Sequence, residues 1–245
     1  MSPATSRPIA TLLEGLFDEP AAQPVSRPGS GGACELIPAA VLVVLREGDA
    51  PGAAEPGEPT AASLGELRVL LTRRRAHMRR HAGEIAFPGG RHDASDASLY
   101  DTALREAEEE IGLARDRVLP LGALSVAYTF ATNYAVYPFV ALLGQPASAG
   151  RPPGVDSPHE HAPDARAGVA EAGAPAAPAW RVSPQEVDAV FELSLAQLEA
   201  SRARERLTRR GLTFETDVFA IGEDLIWGLT QRVLEDLLQR LRPAS

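Results

Sequence analysis

Between Asp101 and Ile111 the chain reads DTALREAEEEI, and the 3.6-residue period of a helix sorts these residues into two adjoining faces. Leu104, Ala107 and Ile111, with Ala103 beside them, form an apolar stripe that anchors the helix to a sheet. Glu106, Glu109 and Glu110 stand at i, i+3 and i+4, so their carboxylates project together from the neighbouring face, while Glu108 points away. Gly112 follows where a left-handed C′ residue is expected, which places the helix end. Like charges this close repel and are mildly destabilising on a solvated helix. A divalent cation reverses that sign, because hard oxygen donors at this spacing suit Mg²⁺, which takes one or two carboxylates plus substrate phosphates. An isolated Glu run reads most simply as a solvated acidic face. This run is embedded in a pattern of Gly-Gly, Arg-Glu, Glu-Glu and Gly-Leu, which favours a site.

The rest of the chain limits what that site can serve. At 245 residues, length allows one or two domains, and three segments unsuited to a core favour one. Hydrophobic content of 44% and charged content of 23% are ordinary for a soluble globular protein. No apolar run approaches the roughly 20 residues needed to span a bilayer, and the first residues lack a basic, then apolar, leader, so no membrane partner is expected. The one cysteine, Cys34, rules out an internal disulfide framework and fits a reducing cytoplasm. A net charge of −9 argues against a nucleic-acid partner but not against a small anionic substrate. Lysine is absent, so every fixed side-chain cation is an arginine, and Arg73, Arg74, Arg75, Arg79 and Arg80 crowd into one short stretch.

Pro8 to Phe17 has helical apolar spacing, and residues 18–33 read as a Pro/Gly/Ser-rich linker, so 1–33 is an N-terminal helix plus flexible linker. A domain over 34–241 follows, with disordered loops expected at 47–65 and 145–179 and a tail at 242–245. Within it, Cys34 to Arg46 carries the continuous apolar run AAVLVVL of a strand buried on both faces, and Leu67 to Thr72 pairs with it across a long hairpin connection. A helix over about 98–111, strands at Leu121–Thr129 and Tyr134–Leu143, and a short strand at Val187–Phe191 follow. A helix at Ser194–Arg204, a strand at Leu212–Ile221 and an amphipathic helix at Thr230–Leu241 complete the reading. This irregular alternation predicts an α/β fold, a mixed sheet covered by helices on both faces.

The chemistry divides unequally among the acids. Glu106 and Glu110 are the better direct ligands; Glu109 is ligand, water-holder or salt-bridge partner, with Arg105 four residues before it able to orient its carboxylate. In Phe87-Pro-Gly-Gly90, the glycines Gly89 and Gly90 let backbone approach a ligand and can direct a carbonyl oxygen at the same metal. Asp93 and Asp96 read as turn-forming or N-capping residues. The arginines from 73 to 80 offer bidentate contacts to phosphate, although any one of them also reads as a solvated basic turn. His159-Glu-His161 reads as a solvated pair in a loop. Metal plus phosphate points to hydrolysis, with a carboxylate taking the proton of a metal-activated water. No serine or cysteine triad is visible, and a lysine-free chain has no Walker-type loop.

Arg105 to Leu113 resembles the core of the Nudix box, the signature of the Nudix hydrolases. That signature runs Gly, five residues, Glu, seven residues, Arg-Glu; here Gly90 leads to Asp96 and then eight residues to Arg105, a loop one residue longer with Asp for Glu. Leu70 to Gly90, LLTRRRAHMRRHAGEIAFPGG, is similar to the motif preceding the box in the coenzyme A diphosphatases, with Arg75 where that group has serine. Ser183-Pro-Gln-Glu-Val-Asp188 and Ile226-Trp-Gly-Leu-Thr230 also resemble that subfamily. The resemblance implies a single-domain α/β/α sandwich and Mg²⁺- or Mn²⁺-dependent cleavage of coenzyme A or its thioesters to 3′,5′-ADP and 4′-phosphopantetheine. It implies metal ligation and catalysis by Glu106 and Glu110 with Glu109 supporting, and substrate binding by Arg74, Arg79, Gly89 and Gly90. Glu186 is a candidate downstream acid with a structural role as the alternative. Rival readings are the same chemistry on ADP-ribose, a dinucleotide or an oxidised nucleoside triphosphate, and a nucleotide-sensing module without catalysis. A cytoplasmic monomer or homodimer acting on a small molecule is the expectation.

Overall fold

Two adjacent strands, apolar on both faces, organise the structure. In the computed structural model β1 spans Ile37–Arg46 and runs parallel to a strand at Tyr134–Leu143, in register from Ile37↔Tyr134 to Leu45↔Leu142. Residue 10 and residues 13–19, 36–48, 64, 66–75, 83–129, 132–144, 180–209 and 211–242 are described; the loops expected at 47–65 and 145–179 and His159-Glu-His161 fall almost wholly outside them. Successive side chains of a strand face opposite ways. On β1, Ala40, Leu42 and Val44 enter one core while Val43 and Leu45 enter the other. Each fully buried aliphatic side chain contributes about 1.5–3 kcal/mol, so this central pair holds both layers.

The rest of the large sheet builds outward from it. One edge of β1 is shared by β2 (Arg68–Arg74) and by the short β4 (Gly89–Arg91), both antiparallel to it, with β3 (Ile85–Ala86) added to β2. On the far side β5 (Val118–Ala123) and β6 (Ala127–Tyr128) pair antiparallel with β7, the strand at Tyr134–Leu143. β8 (Val187–Ser194) pairs with β2, whose register shifts between Arg73 and Arg74. A second sheet joins β9 (Arg202–Arg209), β10 (Leu212–Ile221) and β11 (Asp224–Ile226).

Helices cover both faces, as the sandwich expectation requires. α1 (Leu99–Ile111) buries Leu99, Ala103, Leu104, Ala107 and Ile111 against β1 and β7. Its N-cap is Ser98, whose Oγ accepts the Asp101 N–H at 3.1 Å, and Gly112 ends it at φ 68°, the left-handed conformation read from the sequence. On the opposite face lie α2 (Leu195–Ala200) and α3 (Gly228–Leu241), the latter burying Val233, Leu234, Leu237, Leu238 and Leu241. Leu13 and Phe17 are buried in that same core, and Arg240 on α3 reaches Asp18 at 2.7 Å.

Three local expectations give way to tertiary pairing. The helix expected over Ser194–Arg204 stops at Ala200 after a complete Ser194/Gln197 capping box, and Arg202 begins β9. The Arg/Glu/Ala content favours helix, but β10 offers a ladder in which Arg206 faces Glu215 and Arg204 faces Asp217, and pairing outweighs propensity. The single strand expected at Leu121–Thr129 is broken between β5 and β6, where the Ser125 N–H donates to Asp236 Oδ2 on α3 at 2.8 Å. The N-terminal helix expected to Phe17 has given way to turn by Glu14.

Ile111, fully buried at the last turn of α1, tests how firmly the helix is seated. Ile111→Ala is expected to lower the unfolding free energy by about 2–5 kcal/mol in urea titration; a loss under about 1 kcal/mol would show that the stripe does not anchor the helix.

Candidate active site

The apolar stripe of α1 faces the sheet, so the adjoining face looks along the edge of β4, where Gly89 and Gly90 present bare backbone. A Cβ on Gly90 would lie 2.5 Å from the carboxylate carbon of Glu106; one on Gly89 would lie 2.4 Å from the Ala40 carbonyl oxygen and 2.6 Å from Val41 Cα. The two glycines therefore differ in purpose. Gly89 lets β4 pair closely with β1, and Gly90 leaves room for a carboxylate. The Gly89 N–H donates to Glu110 Oε2 at 3.2 Å. The neighbouring Pro88 carbonyl is committed to the Leu42 N–H at 2.9 Å.

Glu106 and Glu110 are brought together; Glu109 stands at the rim. Glu110 is 1% exposed, and its other oxygen, Oε1, lies 3.3 Å from Arg74 Nη1. Burial pushes the Glu110 carboxyl up to about 7, against the opposing pull of Arg74 and the Gly89 N–H, with the charges of Glu106 and Glu186 adding to the rise. Burial likewise raises Glu106, partly countered by Arg105 and reinforced by Glu109 and Glu186. The Glu109 side chain is 58% exposed and meets Arg105 at 3.2 Å. Glu108 is exposed, as the helical wheel requires.

Arg105 is the hub beneath this cluster. Its Nε and Nη2 reach the two oxygens of Asp96 at 2.9 and 3.0 Å, and its Nη1 reaches Glu106 at 2.9 Å and Glu109 at 3.2 Å. The Arg105 guanidinium holds the Asp96 carboxyl well below the usual carboxylate range. Asp96 is thus neither helix cap nor simple turn former: Ser98 caps, Asp93 makes the Ser95 turn at 2.8 Å, and Asp96 braces the arginine. Despite the longer loop, this acid reaches Arg105 with both oxygens.

Of the arginine cluster, Arg79 and Arg80 lie outside the described residues, and the rest have distinct places. Arg73 pairs with Asp224 and stacks over the Phe191 ring, 4.9 Å from its centroid. Arg74, expected to meet phosphate, meets Glu110. The Arg75 N–H donates to the Glu186 carbonyl at 3.0 Å. Glu186 closes the site from a distant part of the chain: the Ser183 N–H donates to the Glu110 carbonyl at 2.8 Å, hanging the 183–186 turn on the end of α1. Sequence alone leaves Glu186 open between acid and structural residue, because only this long-range bond shows why its charge reaches both Glu106 and Glu110.

The donor set fits a hard divalent cation. The buried Glu110 and the half-buried Glu106, both at raised proton affinity, stand with Glu109 and Glu186 against two arginines, Arg74 and Arg105, and the net negative charge is one that a divalent cation such as Mg²⁺ or Mn²⁺ would neutralise. Among the described residues no three His, Cys, Asp or Glu side chains group closely enough to hold a metal ion by themselves. An open groove of about 510 Å³ lies elsewhere, lined by Tyr128, Asp217, Arg232 and Asp236 among others, and holds none of these groups.

Two outcomes test this geometry. Gly90→Ala is expected to displace the Glu106 carboxylate and weaken Mn²⁺ binding at least tenfold with little change in melting, because the atoms it strikes end a flexible side chain. Gly89→Ala strikes backbone and is expected to destabilise the fold; equal effects of the two changes would contradict the assignment. In chelator-treated protein the raised Glu110 pKa means the folded state binds more protons than the unfolded between about pH 4.5 and 7. Stability therefore falls as pH rises through that window, by up to about 3 kcal/mol, and a Glu110→Gln variant is expected to show a correspondingly flatter profile in urea titrations.

Comparison with known proteins assigns the family. The NUDIX domain profile matches residues 60–210. A relative from Photorhabdus laumondii subsp. laumondii, an uncharacterized Nudix hydrolase NudL, is 34% identical over 176 residues, covering 71% of this chain and 77% of the relative. One of the same description from Salmonella paratyphi B is 33% identical over 171 residues, covering 69% and 72%. Among solved structures, the NUDIX domain of Shewanella oneidensis NrtR complexed with ADP ribose overlaps at TM-score 0.42 with 15% identity, covering 88% of this chain and 90% of that one. The chain belongs to the Nudix family of hydrolases, proteins acting on nucleoside diphosphate derivatives.

Proposed function

We propose that the protein is a metal-dependent diphosphatase that hydrolyses the pyrophosphate bond of coenzyme A or its thioesters to 3′,5′-ADP and (acyl-)4′-phosphopantetheine. The observation that carries the reaction type is the convergence of Glu106 and Glu110 on the Gly89–Gly90 edge, with Arg74 beside them. The substrate class is supported by the similarity of residues 70–90 to the segment preceding the box in coenzyme A diphosphatases, and by the 183–188 and 226–230 segments.

Glu106 and Glu110 would hold Mg²⁺ or Mn²⁺, with Glu109 supporting from the rim. Bound there, the cation would supply Lewis-acid activation of a water and screening of the substrate's phosphate charge. Arg105 keeps Glu106 and Glu109 turned toward the site, anchored from behind by Asp96. A carboxylate of the cluster takes the proton from the attacking water, the new P–O bond forms, and the bridging P–O bond breaks. Arg74 and Arg79 are the phosphate contacts in this reading, and Gly90 admits backbone close to the reacting groups.

Purified protein incubated with coenzyme A and Mg²⁺ is expected to release 3′,5′-ADP and 4′-phosphopantetheine, resolved by chromatography. Its kcat/KM for coenzyme A is expected to exceed that for ADP-ribose, NADH and oxidised nucleoside triphosphates. Absence of 3′,5′-ADP would overturn the substrate assignment. Glu106→Gln is expected to cut turnover at least about 100-fold; unchanged turnover would overturn the metal site.

A further inference from the structure

Glu110 has two carboxylate oxygens, and the protein engages both: Oε2 takes the Gly89 N–H at 3.2 Å and Oε1 takes Arg74 Nη1 at 3.3 Å. The first partner is main chain in a paired strand and cannot leave. The second is the end of a long side chain, 23% exposed, and it can. The Arg74 backbone is fixed independently, its N–H donating to the Glu84 carbonyl at 3.0 Å and its carbonyl accepting the Gly83 N–H at 3.0 Å. Movement of the guanidinium therefore needs no movement of β2. Arg73, next in the chain, is held on the other face by Asp224 and Phe191, so Arg74 alone of this pair meets the carboxylates.

We propose that Arg74 is an internal place-holder for the cation: it occupies Glu110 Oε1 in the metal-free protein, yields that oxygen when a divalent cation binds, and then turns to a phosphate oxygen of the substrate. This rests on the assignment of Glu110 as a metal ligand. A buried carboxylate without a counter-charge is costly, and in the metal-free protein Arg74 supplies one. Arginine suits both tasks, since one planar fork pairs with carboxylate and phosphate alike. The exchange also couples metal and substrate binding, because metal binding releases the group that substrate uses. Arg74 is in this sense a positioning residue in the empty site and a substrate contact in the loaded one.

The test is Mn²⁺ binding to chelator-treated protein, followed by calorimetry and by the electron paramagnetic resonance of free Mn²⁺. Removing the competitor is expected to tighten Mn²⁺ binding about tenfold in Arg74→Gln, while the KM for the diphosphate substrate rises at saturating Mn²⁺. Glu110→Gln is expected to weaken Mn²⁺ binding instead. Mn²⁺ binding unchanged or weaker in Arg74→Gln, with Glu110→Gln still impaired, would overturn the exchange and leave the metal site standing. Mn²⁺ binding indifferent to Glu110→Gln would overturn the site itself. Should Arg74→Gln not fold without metal, Arg74→Lys, which keeps the charge but loses the planar fork, is expected to bind Mn²⁺ more tightly than the unaltered protein. Weaker binding in that variant would overturn the exchange.

Discussion

The close approach of helix α1 to the bare backbone of Gly89 and Gly90 in β4 is the constraint on which the rest of the site depends. At the Gly89–Gly90 edge the helix brings Glu106 and Glu110 against backbone, where burial raises the proton affinity of both. Everything around that contact compensates for it. The Gly89 N–H and Arg74 engage Glu110, and Arg105 steadies Glu106. The apolar stripe of Leu104, Ala107 and Ile111 supplies the packing energy that keeps the acids where they repel one another.

Arg105 shows how such a cluster is made rigid. One guanidinium touches Asp96, Glu106 and Glu109, so a single residue sets the direction of two carboxylates and is itself locked by a third. The Asp96 brace accommodates the additional loop residue because the turn from Asp93 folds Asp96 back on the helix, where Thr102 Oγ1 also donates to it at 2.8 Å. The site thus has a braced floor, Asp96 and Arg105, and a second counter-charge, Arg74, against Glu110.

Local pattern made parts of this legible in the sequence and left others hidden. The helix and its end at Gly112, β7 over Tyr134–Leu143 and β10 over Leu212–Ile221 follow directly from apolar period and turn chemistry. The grouping of Glu106 with Glu110 and the isolation of Glu108 follow from the same 3.6-residue period. β9 was not legible: Arg202, Arg204, Arg206 and Arg209 with Glu205 carry no strand signature, and only the acids of β10 opposite them explain it. β3, β4 and β11 are too short to show a period. The partners of Asp96 and Arg74, and the nearness of Glu186, depend on contacts between distant segments. A motif names the residues of such contacts but does not say what they touch.

The central claim is that Glu106 and Glu110 form one divalent-cation site at the Gly89–Gly90 edge. The most direct measurement is anomalous diffraction from crystals soaked in Mn²⁺. The account predicts a peak within bonding distance of carboxylate oxygens of both Glu106 and Glu110. A peak bound elsewhere, or none at saturating Mn²⁺, would contradict it.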